Sequence, residues 1–236
     1  HIPLYVPDEI RDPNPLNAYT CVIEHIDSEV GRIINVLKDL KLEKDTIVIY
    51  TTDNGPWLPF KHHGGSAGPL RDGKGTTFEG GQRVPCVMWA PGRIPANSEC
   101  HELMGTIDLL PTIAALTETP LPVGQKIDGL NASSLLAGDK KSPRNEFLYY
   151  TSRGDLEGIR KDKWKLLVKK KRKPRNAGKN WKAPAPEILL FDIIADMGEK
   201  TNLANKHPQK VQELTGRMEN LDAEITKNSR EPWYKQ

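Results

Sequence analysis

The chain has 236 residues, of which 37% are hydrophobic and 28% are charged, and its formal net charge is +3. This length is enough for one large domain or two modest ones, each with a packed core. The even mixture of charge signs argues against a disordered chain, and three cysteines are too few for a disulfide-built miniprotein. No apolar run approaches the about 20 residues of a membrane-spanning helix, so we expect no membrane span.

The first part of the chain predicts a helix followed by a short strand. Apolar residues recur at steps of three and four through residues 17–40 and therefore share one helix face. The β-branched run at 46–52 is typical of a strand that is buried on both faces. A helix followed by such a strand indicates an α/β fold, in which ligands collect at the carboxyl ends of strands. Asp53 and Asn54 lie at such an end.

The next part predicts a long loop, a second strand and a second helix. Residues 55–82 are rich in glycine and polar residues, and a compact domain seldom keeps so long a loop without a function. Residues 84–90 predict a second buried strand, and residues 106–117 predict a helix. The residues at 124–142 predict an irregular connection.

The remainder of the chain changes pattern from about residue 146. Four short strands are predicted in a meander, at 147–151, 158–160, 164–168 and 188–192. A helix with apolar residues at steps of three and four follows from about Pro208. Strands followed by a single helix indicate a small α+β unit.

The residues best suited to chemistry lie at the end of the first strand and in the long loop. Asp53 and Asn54 offer hard oxygen ligands, which suit Ca²⁺ or Mg²⁺ better than zinc. Lys74 stands between two glycines, so a tetrahedral oxyanion such as sulfate or phosphate can approach it closely. Taken alone, each of these signals is also typical of a simple turn, and Gly-Lys-Gly lacks the spacing of a phosphate-binding P-loop. His62 and His63 lie between them and either contact substrate or are solvated loop residues.

Several motifs occur together in a specific order. They are Thr-Thr-Asp-Asn-Gly at 51–55, Gly-Gly-Ser-Ala-Gly-Pro-Leu at 64–70, Gly-Lys-Gly-Thr-Thr-Phe-Glu-Gly-Gly-Gln-Arg-Val-Pro at 73–85 and Trp-Ala-Pro-Gly at 89–92. In this order and spacing they resemble the type I sulfatases, the arylsulfatase branch of the alkaline-phosphatase-like superfamily. Segments at 1–4, 23–32, 108–113, 158–165 and 190–203 extend the resemblance over nearly the whole chain.

The resemblance implies an architecture and a compartment. The expected fold is α/β, with an incomplete, mixed and mostly parallel sheet flanked by helices and a smaller carboxyl-terminal antiparallel sheet plus helix. Residues 1–143 would be the carboxyl-terminal part of the catalytic domain, and residues 144–236 the α+β subdomain. The family usually acts in periplasmic, lysosomal or secreted space, and we expect the same here.

The resemblance also implies a mechanism. In the family, the cysteine of a Cys-x-Pro-x-Arg motif becomes formylglycine, whose hydrate attacks the sulfur of a sulfate ester while Ca²⁺ holds the sulfate. By motif match, Asp53 and Asn54 would be metal ligands, with Ca²⁺ favoured over Mg²⁺, and Asp53 would also accept the proton of the attacking hydroxyl. Lys74 would bind a sulfate oxygen and neutralise charge near the leaving oxygen. His1 would contact the sulfate and protonate the departing alkoxide.

The chain departs from the family pattern at the nucleophile. None of Cys21, Cys86 and Cys100 begins a Cys-x-Pro-x-Arg motif, and no serine begins the equivalent motif. The family's acidic metal-binding pair and its motif arginine would also lie before His1. We therefore expect a fragment with about half of an active site, inactive alone and completed by the amino-terminal half of the same protein. Without that half, the large sheet would expose edges and apolar faces, and the chain would be unstable or self-associate.

A basic strip at 164–186 leaves other functions open. It contains no Asp or Glu and nine basic residues, namely Lys165, Lys169, Lys170, Lys171, Arg172, Lys173, Arg175, Lys179 and Lys182. It is either a solvated hairpin tip or a guide for sulfated polysaccharide, and we expect no nucleic-acid partner because aromatic residues for base stacking are scarce. The alternatives to a sulfatase of aryl or carbohydrate sulfates are a non-catalytic module that binds sulfated glycans and a related phosphoester hydrolase.

Overall fold

The computed structural model describes residues 15–139, 141–171, 173–174, 176 and 182–230, without the side chains of residues 15–17 and 62. The chain divides into two compact units, one of residues 1–99 with 136–138 and the other of residues 100–135 with 139–236. These units reflect contacts within this chain. The domain boundary at 143/144 stays a prediction.

The first unit contains the predicted helix and both predicted strands. Its elements are α1 (Pro15–Asp39), β1 (Val48–Thr51), a 3-10 segment (Leu58–His63), α2 (Glu79–Gln82) and β2 (Cys86–Trp89). Strands β1 and β2 pair antiparallel, with Val48 opposite Trp89 and Thr51 opposite Cys86. The strand pairs among the described residues are all antiparallel, so the parallel strands of the expected mixed sheet are not among them.

The burial of this unit differs from the prediction. Strands β1 and β2 were expected to be covered on both faces, yet Val87 is 63% exposed and Cys86 is also exposed. Among the described side chains of α1 only Ala18 is buried, whereas Ile33 and Val36 are each 55% exposed. The physical reason is that the other described residues of this unit cover these elements only in part, which leaves large apolar side chains in contact with solvent.

The second unit is an antiparallel meander with a helix packed against it. It contains a 3-10 turn (Thr106–Asp108), α3 (Leu109–Leu116), β3 (Glu146–Tyr150), β4 (Leu156–Lys161), β5 (Trp164–Lys169), β6 (Glu187–Asp192) and α5 (Pro208–Asn228). The strands pair in the order β3-β4-β5-β6, which confirms the predicted meander and terminal helix. The connection predicted to be irregular contains one short helix, α4 (Ser133–Leu136). No helix among the described residues is long and apolar enough to cross a membrane.

The core of this unit forms between the apolar side chains of the sheet and the apolar face of α5. Leu166 and Leu190 lie opposite each other on β5 and β6 and are fully buried. Leu214 and Met218, one helical turn apart on α5, join them and Ile159 in one apolar cluster. The helix therefore covers one face of the sheet.

A buried ion pair joins the two carboxyl-terminal segments on which the family resemblance rested. The Lys165 ammonium lies 2.9 Å from a Glu199 carboxylate oxygen, and both side chains are fully buried. The same ammonium lies 4.5 Å from the centroid of the Tyr149 ring. Asn202 connects to the adjacent strand, since its side-chain oxygen accepts from the Leu190 amide at 3.0 Å. The contacts made by these two segments are therefore structural contacts within the second unit.

The basic strip is smaller than the sequence indicates. Lys165 is buried, and Lys169 pairs with Glu157 at 3.1 Å, so neither projects freely from the β5–β6 hairpin. The hairpin itself is confirmed, with Lys169 opposite Glu187. Much of its tip, including Arg172, Arg175, Lys179 and Trp181, lies outside the described residues.

Candidate active site

Asp53 and Asn54 lie just beyond the end of β1, as predicted. Asp53 is exposed and Asn54 is half-buried. The Thr51 hydroxyl donates to the Pro85 carbonyl at 3.1 Å, which ties the end of β1 to the start of β2. Asp53 and Asn54 therefore come directly after a strand end that a hydrogen bond ties to the neighbouring strand.

Two backbone hydrogen bonds bring the glycine-rich segment against this turn. The Lys74 amide donates to the Pro56 carbonyl at 2.9 Å, and the Gly55 amide donates to the Gly81 carbonyl at 3.3 Å. A third bond, from the Gly80 amide to the Arg71 carbonyl at 2.8 Å, closes the segment on itself. The structure thus places the backbone of Lys74 beside the turn that carries Asp53 and Asn54.

The glycines of this segment are required by close backbone approach. A Cβ on Gly55 would lie 1.8 Å from the Gly80 carbonyl oxygen, and a Cβ on Gly73 would lie 2.3 Å from the Pro56 oxygen. Neither position tolerates a side chain without movement of the backbone. These glycines therefore allow the close backbone packing that holds the Lys74 backbone near the Asp53–Asn54 turn.

Buried residues anchor the segment behind Lys74. Thr77, Phe78 and Glu79 are each at most 6% exposed, whereas Lys74 itself is exposed. The Arg71 guanidinium lies 3.9 Å from the centroid of the Phe78 ring, a cation–π contact. Lys74 is therefore a solvent-accessible cation on a well-anchored loop, which is the arrangement that an anion-binding lysine needs.

The predicted histidines are less well placed by the structure. His63 is half-buried at the end of the 3-10 segment, next to Gly64, whose carbonyl accepts from the Trp57 amide at 3.0 Å. The side chain of His62 and the whole of His1 lie outside the described residues. The structure therefore places the backbone of Lys74 beside the turn of Asp53 and Asn54. The roles of these three residues and of the histidines stay predictions.

The donor chemistry fits part of a calcium site. The Asp53 carboxylate and the Asn54 amide are oxygen ligands, and Ca²⁺ takes about six to eight of them. No group of three or more His, Cys, Asp or Glu that could hold a metal occurs among the described residues. Asp53 and Asn54 therefore fit as two ligands of a larger set.

Two aromatic residues beside Lys74 were missed by the sequence analysis. Trp57 and Phe60 stack with ring centroids 4.2 Å apart, and they are 50% and 52% exposed. The Lys74 ammonium lies 5.9 Å from the centroid of the Trp57 ring. The sequence feature that could have identified these two residues is the Trp-Leu-Pro-Phe run that directly follows Asp53-Asn54-Gly-Pro.

Comparison with known proteins indicates the family of the chain. The family model described as Sulfatase matches residues 1–119. Human arylsulfatase A is 35% identical over 231 residues, which cover 91% of this chain and 45% of the relative. N-acetylgalactosamine-6-sulfatase from the dog, Canis lupus familiaris, is 38% identical over 156 residues, which cover 66% of this chain and 29% of the relative. The chain spans less than half the length of these curated relatives.

A solved structure extends the similarity to the fold. Ps i-CgsB in complex with k-i-k-neocarrahexaose is 26% identical to this chain and superposes with a TM-score of 0.74. The match covers 94% of this chain and 47% of that one. The similarity confirms the predicted α/β fold class.

Proposed function

The chain belongs to the sulfatase family, and from this premise we propose that it forms the carboxyl-terminal part of the active site of a sulfuric ester hydrolase. The observation that carries the proposal is the pair of backbone bonds, Lys74 to Pro56 and Gly55 to Gly81. They hold the backbone of Lys74, whose side chain is exposed, beside the Asp53–Asn54 turn, so that a sulfate bound by Lys74 would also reach a metal ion held at the turn.

Lys74 stabilises the charge of the reaction. Its ammonium binds a sulfate oxygen in the ground state and faces the bridging oxygen, on which negative charge grows as the S–O bond breaks. Because the ammonium is a compact point charge on an exposed side chain, it can stay close to the bridging oxygen as negative charge develops there.

Asp53 and Asn54 would hold the metal, and Asp53 would also accept one proton. Bound by their oxygens, Ca²⁺ would supply positive charge at the sulfate, and a formylglycine from the part of the protein outside this chain would supply the attacking oxygen. Asp53 accepts the proton of the attacking hydroxyl. His1 donates a proton to the departing alkoxide, and His62 and His63 contact the rest of the substrate.

We propose sulfated carbohydrate as the substrate class, with aryl sulfates as further substrates. Two similar proteins support this choice, one named for N-acetylgalactosamine 6-sulfate chemistry and one solved with neocarrahexaose. By the same similarity, the complete protein acts in periplasmic, lysosomal or secreted space. The glycan-binding alternative loses support because Lys165 and Lys169 are engaged within their own unit.

The test compares this chain with a longer version of the same protein that includes a Cys-x-Pro-x-Arg motif. Sulfate release from a sulfated sugar is measured for both, with a phosphate monoester as the competing substrate. We expect no turnover by the 236-residue chain and calcium-dependent sulfate release by the longer protein. Sulfate release by this chain alone, or faster hydrolysis of the phosphate ester by the longer protein, would contradict the proposal.

Substitution of Lys74 tests its role within the longer protein. We expect Lys74→Ala to lower kcat/KM for the sulfate ester by about 10²- to 10³-fold, because a transition-state charge loses its partner. Lys44→Ala is the matched control, since Lys44 is also exposed but lies in the turn before β1. Equal activity of the two variants would remove Lys74 from the mechanism.

A further inference from the structure

The stacked pair of Trp57 and Phe60 is the feature of the first unit that the proposed chemistry does not use. Their rings are inclined by 23° and both are half exposed, although large aromatic side chains usually bury most of their area. Leu58 between them is 41% exposed, so the three side chains form a small apolar surface.

The backbone holds this surface in one conformation. The Trp57 amide donates to the Gly64 carbonyl at 3.0 Å, the Phe60 amide donates to the Trp57 carbonyl at 3.0 Å, and the Gly64 amide donates to the Lys61 carbonyl at 3.0 Å. A Cβ on Gly64 would lie 2.1 Å from the Trp57 oxygen, so the loop closes tightly. Because the loop is closed by its own hydrogen bonds, the rings are positioned in advance of any ligand, which lowers the entropy cost of binding.

The surface lies directly beside the anion-binding lysine. Leu58 packs on the loop of Lys74, since a Cβ on Gly73 would be 3.0 Å from the Leu58 Cγ atom. The Lys74 ammonium is 5.9 Å from the Trp57 ring centroid. An anion bound at this ammonium would therefore have an aromatic ring within the width of one sugar or aryl ring.

We propose that Trp57 and Phe60 form the leaving-group subsite, on which the flat face of a ring-bearing alcohol stacks while Lys74 binds its sulfate. The inference rests on the proposed function and extends it. A sulfate ester joins an anionic group to an alcohol, and the apolar face of a pyranose or aryl ring is the complement of an exposed aromatic surface. The cation and the rings together select esters of ring-bearing alcohols over esters of small open-chain alcohols.

The test measures the binding of three sulfate esters to the 236-residue chain by saturation-transfer NMR titration. The probes are galactose 6-sulfate, 4-nitrophenyl sulfate and ethyl sulfate, which has no ring. We expect Trp57→Ala to weaken binding of the ring esters by about tenfold and to leave ethyl sulfate unchanged, because only the ring contact is lost. Phe60→Ala should act in the same direction, and Trp57→Phe should retain most of the affinity.

The outcomes separate this inference from the proposed function. Lys74→Ala should weaken the binding of all three esters. If Lys74→Ala bound them like the wild type while Trp57→Ala still weakened the ring esters, the sulfate site would be refuted and the ring contact would stand. A selective loss for the sugar or for the aryl ester in Trp57→Ala supports the subsite and identifies the ring. Wild-type affinities in both Trp57→Ala and Phe60→Ala, or no binding of ring esters by the wild-type chain, would overturn it. Thermal unfolding of each variant verifies the fold.

Discussion

Lys74 and Lys165 place the same charge in opposite environments. Lys74 is exposed beside a polar turn, whereas Lys165 is fully buried against Glu199. A buried ammonium loses its hydration, and the Glu199 carboxylate at 2.9 Å together with the Tyr149 ring offsets that loss. The first lysine is therefore free for a ligand, and the second is a structural element of the meander.

Removal of the buried lysine should destabilise the chain strongly. We expect Lys165→Met to lower the free energy of unfolding by about 3–5 kcal/mol, because Glu199 would be left buried without its cation. The double variant Lys165→Met/Glu199→Leu should recover most of this loss, since the uncompensated charge is gone. Urea unfolding monitored by circular dichroism gives both values.

The matched control is Lys163→Met. Lys163 lies 2.7 Å from Asp192 but its side chain is 52% exposed, so its ion pair is screened by water. We expect this substitution to cost less than about 1 kcal/mol. A similar cost for the two lysines would show that burial does not set the strength of these pairs.

Asp108 makes the stability depend on pH. Burial raises the pKa of its carboxyl, but the hydrogen bonds from Arg144 and from the amides of Gly105 and Leu130 outweigh burial and lower the pKa. Because the folded-state pKa lies below the unfolded value of 3.8, the stabilisation is present above that value and is lost as the pH falls through the folded pKa.

The variant Asp108→Asn isolates this effect. At pH 7 we expect it to be less stable than the wild type by about 2–3 kcal/mol, since charge-assisted hydrogen bonds are lost. The difference in the free energy of unfolding should shrink as the pH is lowered below 3.8 and the wild-type carboxyl becomes protonated. Urea titrations at a series of pH values measure it, and a constant difference would contradict the pKa argument.

At the scale of elements, the loop between β1 and β2 is built by glycines that allow two backbone segments to touch. We expect Gly55→Ala to destabilise the first unit by about 2 kcal/mol or more, because its Cβ would lie 1.8 Å from the Gly80 oxygen. Gly31→Ala is the control, since Gly31 lies in α1 with no atom within 4 Å of an added Cβ. It should stabilise the chain by about 0.5–1 kcal/mol.

Thermal unfolding distinguishes these two substitutions. Because only the Cβ added at Gly55 would meet other backbone atoms, the two changes in unfolding free energy should have opposite signs. If Gly55→Ala were as stable as Gly31→Ala, the contact between the Gly55 and Gly80 backbones would not be required for the fold.

At the scale of the whole molecule, the uncovered apolar face of α1 is the dominant feature of the first unit. Ile33 and Val36 are each 55% exposed, and Leu40, directly after the helix, is 62% exposed. Because exposed apolar area of this kind drives association in water, we expect the isolated chain to self-associate with increasing concentration.

Charged substitutions on this face should prevent the association. We expect Ile33→Lys/Val36→Lys to shift the chain toward the monomer in sedimentation velocity experiments. Ser28→Lys/Asn35→Lys adds the same charge at exposed polar positions of α1 and should leave the association unchanged. An equal shift in both variants would attribute the effect to net charge and not to the apolar face.

The amino-acid sequence by itself determined the types of the elements and the identities of the candidate ligands. The three- and four-residue periods predicted α1 and α5, and the run at 188–192 predicted β6, because such patterns depend only on neighbours along the chain. The position of Asp53 and Asn54 after β1 followed in the same way.

Tertiary structure alone decided which side chains are buried and which meet. Lys165 counts as part of a basic strip in the sequence, yet its pairing with Glu199 removes it from the surface. The stacking of Trp57 on Phe60 beside Lys74 was likewise not evident from the sequence. Burial and pairing depend on groups that are distant along the chain and are brought together only when the backbone closes, so a local pattern cannot specify them.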